Sequence, residues 1–177
     1  MSTPSIEAVK PENGERLLPD LIRLLRATVD GGASVGFLPP LAEDEARRYW
    51  QATLQDVTDG SQVLLVALDT DGQVLGSVQL ALAMKPNGRH RAEVQKLFVD
   101  PSQRRHGIGR GLMKTVEEAA RAHGRTLLVL DTREGDAAEQ LYRRMGYIEA
   151  GRIPGYAISS SGTLDGTIYF YKNLPTT

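Results

Sequence analysis

The chain has no cysteine among its 177 residues, which excludes disulfides, a thiolate nucleophile and any Cys-ligated metal centre. Histidine is nearly as scarce. His90, His106 and His123 stand far apart, so no metal site is expected. An excess of either charge is also missing: 21 Lys and Arg against 22 Asp and Glu leave a net charge of -1, which argues against a broad nucleic-acid footprint. No apolar run is long enough to span a bilayer. The opening "MSTPSIEAVKPENGE" lacks the charged-then-apolar order of a signal peptide. These absences lead us to expect a cytoplasmic chain with neither a nucleic-acid nor a membrane partner. The length suits a single domain over residues 1–177.

What is present reads as alternating strands and helices. "SIEAVK" is a short first strand, and residues 14–30 form a helix with Leu17, Leu21, Leu24, Leu25 and Val29 on one stripe. Pro19 is expected in its first turn. A glycine-bearing loop, "GGASVGFLPP", leads to a second helix in which Ala46, Trp50, Leu54 and Val57 share a face, with Trp50 read as core. Residues 62–69 and 74–84 form an antiparallel pair turned at Asp71-Gly72. The strand "RAEVQKLFVD" follows, then a helix closing at Gly124, the strand "TLLVLDT", a continuous apolar run ended by Asp131, and a short helix "DAAEQLYRRM". "YIEAGRIPGYAI" and "LDGTIYFYKNL" complete the order as two strands. The fold class is therefore mixed α/β, a mostly antiparallel sheet of about seven strands flanked by helices, with one parallel crossover.

The stretch "EVQKLFVDPSQRRHGIGRGLM" runs from a strand through an arginine-rich turn into glycines and a helix, a ready place for phosphate. Arg104, Arg105 and Arg110 cluster there, so a small anionic ligand is expected. A dinucleotide fingerprint is approached by Gly107, Gly109 and Gly111, with Asp131 placed as the ribose acid. Its third glycine comes one residue early, however, and six residues separate Val99 from Gly107. A triphosphate loop would need glycine where Met113 precedes Lys114-Thr115.

The remaining candidate is coenzyme A. Arg104, Gly107 and Gly109 match Gln/Arg-x-x-Gly-x-Gly/Ala, and "AAEQLYRRMGY" matches Ala-x-x-x-Tyr-x-x-x-Gly-Phe/Tyr. With the order of elements, these residues resemble the GNAT superfamily of N-acetyltransferases. "GGASVGF", "KPNG", "RAEVQKL", "LDT", "PGYA" and "YFYK" further resemble its tabtoxin-resistance branch, which acetylates an amino-acid-like β-lactam.

The resemblance implies acetyl-CoA as cosubstrate. The turn formed by Arg104, Arg105, His106, Gly107, Ile108, Gly109 and Arg110 would wrap the pyrophosphate. Leu97, Phe98 and Val99 would line the pantetheine arm, in a gap where their strand splays from the next. Tyr142 would protonate the departing thiolate; the plainer alternative is packing on an amphipathic helix. An asparagine common in the family is replaced by Gly135.

Glu93 is the candidate base. Strand alternation would place Glu93, Gln95, Leu97 and Val99 on one face, with Glu93 and Gln95 as polar residues of an acceptor cleft. The alternative for Glu93 is an ordinary ion pair with Arg91 or Lys96. Asp131 is a second candidate, as base or as ammonium partner, unless it merely caps the following turn with Thr132. Ser34 and Phe37 in the first loop, and Tyr156 on the penultimate strand, are expected around the acceptor. The need for a base depends on the amine. A lysine-like amine is neutral roughly once in 2,500 molecules at pH 7, whereas an α-amino group costs only about 1 kcal/mol to deprotonate. The expected activity is N-acetylation of a small amine by direct attack, extending to amino-acid-like antibiotics. Peptide or protein N-acetylation and CoA binding without turnover are the alternatives. The resemblance is also compatible with a homodimer through the final strands.

Overall fold

The structure is a computed structural model that describes residues 4–175. Two apolar helices cover one face of a sheet and a third covers the other, and the alternation of strand residues explains why both faces need cover. In β2 (Gln62–Leu68), Leu64, Val66 and Leu68 point to one side and Leu65 and Ala67 to the other. Such a strand reads as a continuous apolar run because neither face is left to solvent. In β3 (Val74–Leu82), Val74 faces the first side and Leu75, Val78, Leu80 and Leu82 the second, with a register shift against β2 between Ala67 and Leu68. The first face is packed by α1 (Gly14–Asp30) and α2 (Glu43–Asp59), whose Leu17, Leu21, Leu24 and Leu25 meet Leu64, Val66 and Val74. The second is packed by α3 (Ile108–Ala122), through Ile108, Leu112, Met113, Val116 and Ala120.

β1 (Ser5–Ala8), β4 (Arg91–Val99), β5 (Leu127–Arg133), β6 (Ile148–Ile158) and β7 (Leu164–Asn173) complete a seven-stranded sheet ordered β1-β2-β3-β4-β5-β7-β6. All neighbours are antiparallel except β4 and β5, which α3 joins as a parallel crossover. This is the mixed, mostly antiparallel α/β architecture expected from the pattern. α4 (Ala137–Arg144) follows β5. The carbonyl of Met145, just past α4, accepts from Lys172 Nζ on β7 at 2.7 Å, and the same ammonium bonds both oxygens of Glu117 on α3 at 2.8 and 2.9 Å. One partly buried ion pair thus ties the two helices on this face to the sheet. Among the described residues no helix is long and apolar enough to cross a membrane.

Two expectations need correction. Pro19 lies inside α1 and not in its first turn, since the helix already begins at Gly14. It is tolerated because its ring is exposed, leaving the orphaned carbonyl one turn earlier on the solvent side. The single-face reading of β4 also fails. Val94 packs on the α3 side and Phe98 on the α1–α2 side, although regular alternation would put both on the same face. The cause is a bulge: Lys96 has φ 53, and the β3–β4 register shifts between Ser77 and Gln79. Glu93 and Gln95 therefore stay on the α1–α2 side, while Leu97 and Val99 join the α3 side.

Beyond the bulge, β4 is held by Phe98, which stands edge-on to the fully buried Trp50 at 6.2 Å. Phe98→Ala should cost about 3–5 kcal/mol, because it removes a ring that packing around it cannot replace. Urea unfolding followed by the emission of Trp50, the sole tryptophan, measures it; a loss below about 1 kcal/mol would mean the site collapses freely.

Candidate active site

β4 and β5 are hydrogen-bonded neighbours over only three residue pairs, Arg91–Leu127, Ala92–Leu128 and Glu93–Val129. Past that point β4 continues to Val99 and β5 to Arg133 without pairing to each other. Each is held on its other side, β4 by β3 and β5 by β7. The sheet is therefore parted, and a cleft of about 1120 Å³ occupies the parting. Its walls include strand edges whose N–H and C=O groups lack a strand partner, which is where an extended polar ligand finds hydrogen bonds.

One end is built for an anion. Arg105 and Gly107 both adopt left-handed backbone, φ 67 and 80, immediately before α3. The first bond closed at this helix start runs from Gly111 N to Gly107 O at 2.9 Å, so the amides of Ile108, Gly109 and Arg110 have no helical partner. Alternating backbone of this kind turns successive N–H groups into one concavity. A Cβ on Gly107 would meet no atom within 4 Å, so glycine is required there by the backbone angle and the open space, not by crowding. Arg104, Arg105 and Arg110 also line the cleft and are exposed. His106 does not: it is exposed outside the lining, with Nδ1 3.3 Å from the Gln103 carbonyl.

Leu97, Phe98 and Val99 border the middle of the cleft. The Phe98 side chain itself is buried in the α1–α2 core, so only its backbone is available there. Across the gap stands Tyr142, on the inner stripe of α4. It is 5% exposed and stacks obliquely on Tyr147 and Phe170, at 5.8 and 6.1 Å. Its ring belongs to the core beneath α3 and α4, and the residue also lines the cleft. Its hydroxyl makes no hydrogen bond with the described residues. Burial first, then the Asp131 and Asp136 charges, push the phenol well above its ordinary pKa, so it is neutral at any working pH. Gly135 has φ 85 and donates its N–H to Glu139 at 3.0 Å, shaping the turn into α4.

The other end is acidic. Glu93, Gln95 and Asp131 all line it. Asp131 does not end β5, which runs two residues further, and its carboxylate accepts from Thr167 Oγ1 on β7 at 2.8 Å. Glu93 forms no salt bridge with Arg91 or Lys96 within 4.0 Å. Tyr156 borders the same end, and its hydroxyl lies 2.9 Å from that of Tyr169, the residue opposite Asp131 in register. That contact, with lesser effects of burial and Asp131, pushes Tyr169 up to about 12. Ser34 lines the cleft from the α1–α2 loop. Phe37 does not: its ring packs edge-on against Tyr49 of α2 at 5.3 Å, as part of the core beneath the loop.

Three contributors escape sequence reasoning. Lys96 projects from the bulge and donates to the Val35 carbonyl at 2.5 Å. Burial lowers its pKa, against the opposing pull of Asp131 and Glu93. Arg133 braces the same loop through Gly32 O at 3.2 Å while bonded to Asp136 at 2.7 and 2.9 Å. Thr167 orients Asp131. Their partners lie 36 to 101 residues away for Thr167, Lys96 and the Arg133–Gly32 contact, so no local spacing announces them.

The chain matches the Acetyltransferase (GNAT) family over residues 33–147. It is 36% identical over 119 residues to an uncharacterised N-acetyltransferase from the hisH-hisA intergenic region of Azospirillum brasilense, covering 66% of this chain and 68% of that protein. It is 34% identical over 93 residues to an L-methionine sulfoximine/L-methionine sulfone acetyltransferase of Pseudomonas aeruginosa, covering 51% of this chain but only 54% of that one. In fold it is similar to a GNAT superfamily phosphinothricin acetyltransferase from Sinorhizobium meliloti, solved in complex with AcCoA. The TM-score is 0.79 at 19% identity, over 98% of this chain and 89% of that one. The parted sheet, the anion-binding turn before α3 and the extent of the family match agree. The chain belongs to the GNAT family of acetyltransferases.

Proposed function

We propose that this chain transfers the acetyl group of acetyl-CoA to the amine of a small, amino-acid-like acceptor. The observation that carries this reading is the polarity of the cleft: backbone amides and arginines gather at one end, carboxylates at the other, with a neutral phenol between. An anionic cosubstrate and a cationic acceptor are thereby drawn to opposite ends. The amino-acid class is supported by the sulfoximine-acetylating relative, and the likeness to the tabtoxin-resistance branch points the same way. The fit of acetyl-CoA rests on the free amides of Ile108, Gly109 and Arg110, which suit a pyrophosphate. Beside them, the unpaired edge of Leu97 to Val99 suits the amides of the pantetheine arm.

Acetyl-CoA supplies a thioester, and the chain's residues do the rest. Glu93 and Asp131 attract the acceptor ammonium, and one of them takes its proton, directly or through water. Because an α-amino group needs only about 1 kcal/mol to lose that proton at pH 7, a weakly basic carboxylate suffices. Tyr142 donates from its hydroxyl to the sulfur as charge develops there. Its raised pKa does not prevent this: the desolvation that favours the neutral phenol also favours the neutral thiol. Holding the reactants in line supplies much of the rest.

The deciding assay is thiol release from acetyl-CoA with amino acids, L-methionine sulfone, simple amines and short peptides as acceptors. Release confined to amino-acid-like acceptors is expected. Release with peptides alone would move the chain to peptide N-acetylation, and tight acetyl-CoA binding without release would favour a CoA-binding role.

Tyr142→Phe should lower kcat by about 10²-fold, within the range for a lost proton donor, while leaving KM for acetyl-CoA nearly unchanged. An equal rise in KM would assign Tyr142 to binding. The same variant should leave the ultraviolet phenolate titration unaltered up to about pH 11, because Tyr142 keeps its proton above the ordinary phenol range.

Gly107→Ala should raise KM for acetyl-CoA by about tenfold with a small drop in Tm. The new Cβ meets no protein atom within 4 Å, so its cost falls on the φ of 80 and on the ligand. An unchanged KM would remove this turn from the binding site.

A further inference from the structure

Among the described residues, Lys96 is a cation at the acidic end of the cleft that is bonded to no carboxylate. Its backbone is left-handed, a conformation that lysine adopts only at a cost in free energy. The bulge has a definite effect. In a regular strand the residue after Gln95 would share the face of Val94 and point into the aliphatic core beneath α3. The extra residue lifts Lys96 out of that core and turns its side chain to the cleft, where its amine meets the α1–α2 loop.

The loop is shaped around this amine. Val35 O accepts one of its hydrogens at 2.5 Å. Gly36, with φ 89, passes so close that a Cβ there would stand 3.1 Å from Nζ. An ammonium carries three N–H donors, and no second hydrogen bond and no salt bridge from Lys96 exists among the described residues. Glu93 and Asp131 are near enough to act on its charge without bonding it. Half-buried, with donors to spare, this group can offer hydrogen bonds to an acceptor atom of a ligand in the cleft.

Of the other cations lining the cleft, Arg144 in the last turn of α4 bonds Gln140 at 3.1 Å. Arg133 is bonded to Asp136 and Gly32 and lies 3.6 Å from Asp165. Arg104, Arg105 and Arg110 belong to the turn before α3, at the opposite end.

We propose that Lys96 is the carboxylate-binding residue of the acceptor site. Its ammonium engages the acceptor's α-carboxylate while Glu93 and Asp131 face the neighbouring amine. Opposite charges on adjacent groups of the cleft then match the two charges of a zwitterionic amino acid, and a simple amine fills only half of the site. The assignment rests on the small-amine reading above and sharpens it to α-amino acids.

The test compares L-methionine sulfone with 3-(methylsulfonyl)propylamine, the same molecule without its carboxylate, on the wild type and on Lys96→Met. The expected result is a KM for L-methionine sulfone raised by about tenfold or more, typical of a lost charge-assisted hydrogen bond. KM for the amine should stay within about twofold, and kcat for both at saturation should be little changed. An equal loss for the two acceptors would overturn the proposal and make Lys96 a brace for the loop alone. A second arm needs no turnover: calorimetric binding of 4-(methylsulfonyl)butanoate, which keeps the carboxylate and lacks the amine, in the presence of CoA. Binding to the wild type that weakens about tenfold in Lys96→Met supports the carboxylate site even if neither amine is acetylated, an outcome that would sink only the acetylation reading. Absent or unaltered binding overturns it. Matching melting temperatures for the two proteins exclude unfolding as the cause.

Discussion

The parting of β4 from β5 after the Glu93–Val129 pair is the constraint on which the rest of this molecule depends. Two parallel strands that stop pairing inside a sheet leave two rows of polar backbone groups exposed on facing edges, normally a costly arrangement. It persists because each strand is fastened elsewhere. β5 pairs with β7 over seven residue pairs along its whole length. β4 is anchored to β3 on its far side and, past the bulge, by Phe98 seated against Trp50. The gap is thus a rigid slot whose width is set by two cores, one above the sheet and one below. Its depth passes through the sheet, so the loop after α1 closes one side and the starts of α3 and α4 close the other.

The bulge at Lys96 connects the slot to its chemistry. Without it, β4 would present Glu93, Gln95, Leu97 and Val99 to the same face, and the acidic and apolar parts of the cleft would coincide. With the parity reversed, carboxylate and amide face the α1–α2 loop while the aliphatic pair returns to the α3 side. The strand thereby lines a polar stretch of the cleft and then an apolar one in succession. Left-handed lysine is the cost of that switch, and its amine is used locally, where it pins the loop that closes the acceptor end.

Much of this was legible in the sequence because it follows from periodicity. The apolar stripe of α1, the buried Trp50, the antiparallel pair of β2 and β3 and the glycine-bearing turn before α3 all follow from spacing alone. Glu93, Asp131, Ser34, Tyr142 and Tyr156 were singled out with the help of the family resemblance, and the structure brings all five to one cleft. What was not legible has a common physical character. A bulge at a lysine carries no residue signal, since glycine or asparagine would be the usual mark of positive φ. Phe37 and His106 were assigned by their place in a loop, yet an aromatic ring near Tyr49 gains more from edge-on packing than from facing water. Thr167 and Arg133 act across strands whose adjacency depends on the sheet order, which reverses β6 and β7 relative to the chain.

Tyr142 illustrates how core and site share one residue without conflict. A phenol in water would be free to choose partners; here Tyr147 and Phe170 clamp the ring, and Lys172 fixes the end of its helix through the Met145 carbonyl. Only the hydroxyl is left uncommitted. Rigid support with a single free polar atom is what positioning chemistry requires, because ordering the donor is already accomplished by folding and need not be repeated in each reaction. The same burial keeps the proton in place, and the nearby Asp131 and Asp136 charges act in the same direction. In the proposed reaction those charges also draw a cationic acceptor toward that end of the cleft. Core packing and electrostatics therefore favour the same state, a neutral donor beside an acidic pocket.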